Sequence, residues 1–276
     1  MASYSAQLAV EQDCPSLLGH GCKLVLLTHN GANIRSRRFF IFAFLQLSDS
    51  LGVMNEGKLS LVATPIGNLE DMTYRAVRVL KEADYILCED TRVTGVLLKH
   101  YEIKAKLMRY DAHASERTHE TILADLAEGK KIALVSDAGT PGISDPGVYL
   151  VQKVREAGEM IDVIPGPSAV TAAVSWAGIS GNQFVFLGFV PQKKGRETFF
   201  KSLETYELPV VFFESTHRIL KTLTSLHAEY PEAKVYVARE VTKMYEELLV
   251  GSAEELFEIL EEEPVRQKGE FVVIVD

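Results

Sequence analysis

Glycine and proline gather in three short segments, each directly behind an apolar run. Thr64-Pro-Ile-Gly-Asn68 follows 59–63, Asp137-Ala-Gly-Thr-Pro-Gly-Ile-Ser-Asp-Pro-Gly147 follows 132–136, and Pro165-Gly-Pro-Ser-Ala169 follows 162–164. Glycine lets backbone come close to a ligand, and proline stiffens the loop that carries it. Ligands of open α/β sheets sit outside the carboxyl ends of the strands. Three rigid loops at one sheet edge therefore predict a small-molecule cleft. Some of this chemistry is structural: Asp145-Pro146 reads as a helix start, with Asp as N-cap and Pro in the first position, and Ser168 reads as a second N-cap. The loops are poor in Lys and Arg, which argues against a polyphosphate ligand. They suit a modestly charged ligand with an adenine-like or apolar body, held by backbone groups. The chain has no GxGxxG, no P-loop and no GxSxG, so a dinucleotide site, an NTPase and a hydrolase elbow are unsupported.

Acids stand beside bases in two segments, Cys88-Glu-Asp-Thr-Arg92 and Arg239-Glu-Val-Thr-Lys243. Such neighbours can move a proton or can be structural ion pairs. Lys193, Lys194, Arg196 and Lys201 form a local cationic cluster, which Arg92, Arg218 and Lys221 could extend. The cluster reads equally as a solvated helix start and as a phosphate contact. The chain as a whole carries −9, so nothing steers it toward nucleic acid at long range. Three cysteines without a CxxC pair fit a reducing, cytoplasmic setting better than a disulfide framework. Seven scattered histidines show no metal-ligand spacing, and no metal is expected.

The elements that must position these loops are legible in the patterning. With 276 residues, 47% apolar and 24% charged, the chain has the composition of a globular protein of two domains. Collagen-like, disordered and disulfide-rich classes are excluded, and no apolar stretch reaches the length of a membrane span. Strands are predicted at 59–63, 85–88, 132–136 and 162–164. Helices are predicted at 73–82, 94–101, 115–128, 148–157 and 168–176. This alternation implies βαβ units and a mainly parallel sheet. A second series starts near Gln183, with strands at 184–188, 210–213, 235–238, 247–250 and 271–275 and helices at 197–206, 218–229 and 253–262. The turn-rich segment 174–182 marks a boundary, giving domains at 57–178 and 179–276.

Residues 1–53 read differently. Lys23, Arg35, Arg37 and Arg38 outnumber Glu11, Asp13 and Asp49, and no helical or strand period is sustained. The basic run 35–38 before the apolar run 39–47 resembles a signal-peptide core but is displaced from the start and too short to span a bilayer. Met54 lies just before the first well-patterned strand. Residues 1–56 are therefore expected to form a poorly structured extension, with Met54 as the working start.

Eight segments match a known family in order: 62–73, 88–92, 136–147, 164–169, 188–193, 214–218, 239–243 and 268–272. Together they resemble the ribosomal RNA small subunit methyltransferase I family of the tetrapyrrole methylase superfamily, over about 57–276. The resemblance implies two α/β domains with S-adenosylmethionine bound in a cleft between them. It implies methylation of the ribose 2′-hydroxyl of a cytidine in the decoding region of small-subunit rRNA, and it implies a homodimer; the acidic chain predicts that this substrate is presented by a ribosomal particle rather than captured as free RNA. Two alternatives stay open: a methylase of a tetrapyrrole or other small molecule, and a non-catalytic cofactor-binding module that associates with ribosomes.

Carried over by motif, the resemblance assigns cofactor contacts to Pro65, Ile66 and Gly67 on the first loop. The second loop supplies Asp137, Ala138, Gly139, Ile143 and Ser144, and the next helix Thr171 and Ala172. Related tetrapyrrole enzymes carry Gly-Asp-Pro where Gly139-Thr140-Pro141 stands, so a carboxylate contact at the middle position is not implied here. Phe189, Phe213, Arg239 and Gly269 join from the second domain as packing or backbone contacts. A ribose hydroxyl is a weak acid, so a base or a nearby cation would help its methylation. Glu240, Lys243, Glu89 and Asp90 are the candidates. Arg92, Lys193, Lys194, Arg196 and Arg218 are the candidate RNA contacts.

Overall fold

The computed structural model describes residues 9–13, 23–27, 57–179 and 182–276. Strands β1 (Ala9–Asp13) and β2 (Lys23–Leu27) pair antiparallel, with Ala9 opposite Leu27. They belong to a unit of their own, Met1–Met54. The expectation of a poorly structured extension falls on all of 1–56, of which these two strands are described; the rest of that segment lies outside the described residues.

The first lobe of the second unit runs β3 (Lys58–Val62), α1 (Tyr74–Glu82), β4 (Tyr85–Cys88), α2 (Thr91–His100) and β5 (Lys106–Arg109). It continues with α3 (Glu116–Ala127), β6 (Lys131–Leu134), α4 (Val148–Glu156) and β7 (Met160–Ile164). The sheet order is β5-β4-β6-β3-β7, and every pairing is parallel. Strands buried on both faces need continuous apolar runs, and Tyr85–Cys88 is buried throughout. Helices α1 and α2 cover one face, where Ala76, Leu80 and Leu98 meet Val62, Ile86 and Ala133. Helices α3 and α4 cover the other, where Ile122, Leu126 and Leu150 meet Leu59, Leu87 and Ile132. Local chemistry sets the helix starts: Thr73 accepts from Ala76 N–H at 3.1 Å, and Ser115 from Thr118 N–H at 3.2 Å.

This order explains why the three loops converge. Strand β3 lies between β6 and β7, so the glycine- and proline-rich segments leave three neighbouring strands at the same end of the sheet. Strand β4, beside β6, brings Glu89 and Asp90 to that edge.

Helix α5 (Ala169–Ala177) leads out of the first lobe and ends at Gly178, whose φ of 66° closes the helix in the left-handed region. The second lobe contains β8 (Val185–Phe189), α6 (Arg196–Ser202), β9 (Val210–Ser215), α7 (Ile219–Glu229) and β10 (Val235–Arg239). Strand β11 (Glu247–Gly251), α8 (Ala253–Glu262) and β12 (Glu270–Val275) complete it. Its sheet order is β11-β10-β12-β9-β8. Only β8 and β9 pair parallel; the other neighbours are antiparallel, so the parallel pattern of the first lobe does not extend here. Helices α6, α7 and α8 pack on one face around Phe200, Phe212, Leu223, Leu256 and Phe271. Helix α5 packs on the other, with Val170, Ala173 and Val174 against Val211, Tyr236 and Ile274. The helix that starts from the first lobe's third loop is thus a wall of the second lobe. Among the described residues no helix is long and apolar enough to cross a membrane.

Candidate active site

A cleft of about 530 Å³ opens where the loops meet the second lobe. The loops lock one another first. Thr64 and Gly139 exchange backbone hydrogen bonds of 2.9 and 3.0 Å, and the Thr64 hydroxyl donates to Ser136 O at 3.1 Å. Gly166 lies so close to Ala63 that a β-carbon on it would sit 2.9 Å from that of Ala63. Gly139, at φ 79°, uses a conformation that side chains rarely adopt.

The first lobe lines the cleft with Ile66, Glu89, Asp137, Ala138, Gly139, Thr140, Ile143, Ser144 and Asp145, and the start of α5 adds Ser168, Ala169 and Val170. The second lobe adds Phe189, Phe213, Val241, Lys243, Gly269, Glu270 and the turn 214–217. Of the predicted cofactor contacts, Ile66, Asp137, Ala138, Gly139, Ile143, Ser144, Phe189, Phe213 and Gly269 line the cleft together. Pro65, Gly67, Thr171, Ala172 and Arg239 do not. In α5 the lining falls one turn earlier than predicted, and Thr171 is exposed with its hydroxyl on Ser168 O at 3.2 Å. Arg239 is buried, and its guanidinium donates to the carbonyls of Lys268, Tyr245 and Val265. It staples two loops rather than facing a ligand.

Gly67 lets the second lobe approach the first loop closely without lining the cleft. A β-carbon there would lie 2.4 Å from Lys243 Cγ and 2.8 Å from Thr242 Oγ1. Lys243 donates to Glu240 and to Glu270, each at 2.9 Å. Burial would lower the Lys243 pKa, but these two carboxylates outweigh it and hold the ammonium charged. Burial would raise Glu240, but the backbone N–H of Glu270 and the Lys243 ammonium outweigh it, leaving Glu240 below the usual range. Asp90 accepts from Arg92 at 2.6 Å and is pulled to about 2 by that hydrogen bond. Of the four proton-handling candidates, Glu89 and Lys243 line the cleft; Asp90 and Glu240 serve as ion-pair partners.

The candidate RNA contacts divide. Lys193 and Lys194 are exposed, four and five residues beyond Phe189, and Arg92 is exposed on α2. Arg196 requires correction. It is 6% exposed, with a 3.4 Å ion pair to Glu214 and a 2.8 Å hydrogen bond to Thr222. Arg218 pairs with Glu214 at 2.7 Å and donates to Val190 O. Both cations neutralise the buried Glu214 carboxylate, because an unpaired charge there would be prohibitive. That leaves the segment 214–218 built around a buried ion network.

Two lining features were invisible in the sequence. Asp145 does not cap α4: the helix starts at Val148 with Gly147 as N-cap at φ 124° and no side-chain cap bond. Asp145 instead faces the cleft, where burial and the charges of Glu89 and Asp137 raise its carboxyl to about 6. Thr216 also contributes, its hydroxyl accepting from Gly269 N–H at 2.9 Å and donating to Gly269 O at 2.7 Å.

The cleft has the size of a small-molecule site. Its walls are apolar at Ile66, Val170, Phe189 and Phe213; Glu89, Asp137 and Asp145 line it with no ion-pair partner among the described residues, while Glu214 and Glu270 are paired with Arg196, Arg218 and Lys243. That balance fits a cationic nucleoside and not a polyphosphate. Among the described residues, no three His, Cys, Asp or Glu side chains converge so as to hold a metal ion.

Residues 58–256 match the family model for tetrapyrrole (corrin/porphyrin) methylases. The ribosomal RNA small subunit methyltransferase I of Thermotoga maritima is 45% identical over 219 residues, covering 79% of this chain and 98% of that relative. The protein of the same name from Escherichia coli is 46% identical over 224 residues, covering 80% and 78%. Among solved structures, a cobalt precorrin-4 methyltransferase of cobalamin biosynthesis superposes with a TM-score of 0.61 at 17% identity, covering 79% of this chain and 94% of that one. A diphthine synthase superposes at 0.63 and 15% identity, covering 79% and 89%. These structures share the fold.

Proposed function

The chain belongs to the tetrapyrrole methylase family, in the branch of the ribosomal RNA small subunit methyltransferases I, and from that premise we propose that it is an S-adenosylmethionine-dependent methyltransferase. Its substrate in this reading is the ribose 2′-hydroxyl of a cytidine in the decoding region of 16S rRNA. The observation that carries the reading is the cleft itself. Stiff glycine loops from three adjacent parallel strands oppose an aromatic wall, with carboxylates in place of a phosphate-binding cation cluster.

Ile66, Ile143, Val170 and Phe213 would enclose the nucleoside, and the backbone around Gly139 and Gly269 would hold its polar edges. Glu89 and Asp137 would complement its positive charge. The bound donor supplies an electrophilic methyl group whose departure leaves a neutral thioether. Alignment and exclusion of water therefore do most of the work, and the interlocked loops are rigid enough for both. The charged Lys243 ammonium offers a cation to a hydroxyl oxygen as it loses its proton.

Lys193 and Lys194 provide local positive charge on an acidic chain, while Arg92 is offset by Asp90, and the acidic balance favours substrate presented by a small ribosomal subunit over free RNA capture. The homodimer and the cytoplasmic setting that the family resemblance implies are part of this reading; exposed Val93 and Val96 on α2 are apolar surface that a second copy would cover. The test is methyl transfer from labelled S-adenosylmethionine to small subunits isolated without the modification, followed by mapping of the labelled nucleotide. Label on a cytidine 2′-oxygen is expected. Label on a base, or no transfer to any small subunit, would overturn the reading.

A further inference from the structure

Asp145 sits in a turn built to aim it. The preceding Ser144 has φ 62°, a conformation costly for a residue with a side chain. Gly188 of the second lobe lies beside it: a β-carbon there would be 3.2 Å from Ser144 Oγ. The helix that follows takes its N-cap from Gly147, so the Asp145 carboxylate is released from capping and lines the cleft. Glu89 faces it from the end of β4, and Asp137 and Ser136 from the end of β6. The Ser136 hydroxyl, 3.2 Å from Ala138 O and Gly139 O, also reaches the Asp145 carboxyl and offsets part of what burial and the neighbouring carboxylates do to it. Glu214, His217, Lys243 and Glu270 line the same cleft from the second lobe. Among the described residues Asp145 has no ion-pair partner.

Glu89 also lines the cleft and, among the described residues, has no hydrogen-bond or ion-pair partner of its own; the remaining carboxylates near the cleft are engaged. Asp90 is bound to Arg92, Glu240 and Glu270 to Lys243, and Glu214 to Arg196, Arg218 and Thr222. Asp137 accepts from Asp90 N–H at 3.2 Å. Lys243 keeps its proton and cannot accept another.

Resting on the methyl-transfer reading, we propose that Asp145 is the proton acceptor for the hydroxyl that becomes methylated. As the hydroxyl oxygen bonds to the methyl carbon, the carbon–sulfur bond breaks and its electron pair passes to sulfur. The hydroxyl proton moves to a carboxylate oxygen of Asp145. A sulfonium and a carboxylate become a neutral thioether and a neutral acid, so charge balances. Seclusion beside Glu89 and Asp137 places the carboxyl near 6, where it is ionised at neutral pH and still basic enough to help.

The experiment uses the full chain, small subunits lacking the modification, and the variants Asp145→Asn and Asp145→Glu. The wild-type single-turnover rate should rise with pH along an acidic limb and then level off, with the limb displaced below the free protein's by the bound sulfonium charge. Asp145→Asn should lower the plateau by on the order of 100-fold and erase the acidic limb while S-adenosylmethionine still saturates the protein, and Asp145→Glu should restore part of the rate. In the free protein, carbon-13 carboxyl NMR should show an aspartate titrating near 6 that is lost in Asp145→Asn. Wild-type transfer with Asp145→Asn within about threefold of it, or an unchanged acidic limb, would overturn the assignment alone. Wild-type protein that binds the nucleoside but methylates no subunit would overturn the methyl-transfer reading, and this assignment with it.

Discussion

Gly67 of the first lobe lies directly against Lys243 of the second, with room for a hydrogen and none for a methyl group: a β-carbon would fall 2.4 Å from Lys243 Cγ. The Lys243 side chain can yield, but Thr242 Oγ1 at 2.8 Å and Val241 O at 3.2 Å belong to a turn already strained at Glu240 (φ 49°) and Thr242 (φ 69°). The closeness of the lobes at this point therefore fixes the cation that faces the cleft. Gly67→Ala should push the 240–243 turn away and lower methyl transfer by about tenfold or more, with a stability loss of about 1–3 kcal/mol. Single-turnover rates and urea unfolding read the two effects separately.

Arg196 should behave as a core residue. Arg196→Met leaves Glu214 with Arg218 and Thr222 but strips one cation from a carboxylate with no solvent contact. Unfolding free energy should fall by about 3 kcal/mol, at the lower end for a broken buried pair. The salt dependence of subunit binding should not change. Replacing exposed Lys193 and Lys194 by Gln should do the reverse, leaving stability intact and flattening the salt slope.

Stability should respond to pH in opposite senses at two carboxyls. Asp145 binds its proton more tightly when folded than when unfolded, so its contribution is favourable at low pH. That contribution is lost as pH rises from 3.8 through about 6. Asp145→Asn should therefore stabilise the protein above this window, by on the order of 1–3 kcal/mol, and leave it unchanged below. Glu240 is held below the usual range, so its contribution is present at neutral pH and is lost in acid. Glu240→Gln should destabilise at pH 7, with the difference closing as pH falls. Denaturant melts of both variants across pH 3–8 check the signs.

Phe213 joins the cleft to the second lobe's aromatic cluster, its ring 5.0 Å from Phe186 and 5.1 Å from Phe189. Phe213→Ala should weaken nucleoside binding by about tenfold, as expected for a lost stacking wall worth ~1–3 kcal/mol. Calorimetric titration with S-adenosylmethionine measures it.

The loops were legible because turn chemistry is local: glycine and proline after an apolar run specify the same bend wherever the strand packs. Strand β5 was missed because Lys106-Leu-Met-Arg109 is a short edge strand with charged ends and no β-branched residue. The antiparallel pairing of β9, β10 and β12 was not legible, because it depends on register between distant segments. Asp145 was misread for a local reason. Asp-Pro is a sound helix start, but Gly147 packs against Leu134, where a β-carbon would lie 2.7 Å from Leu134 Cδ2, and this close approach delays the helix. Arg196 looked like a solvated cation because its partner Glu214 is eighteen residues away and is found only by folding.

The most direct measurement is calorimetric titration of the folded full-length chain with S-adenosylmethionine, beside the same titration of Gly139→Val, which would place a branched side chain at φ 79° against Ile66 and Pro167. One equivalent of nucleoside should bind the wild-type chain, and binding should be lost in the variant. No heat from a folded wild-type chain, with or without small subunits present, would contradict the account.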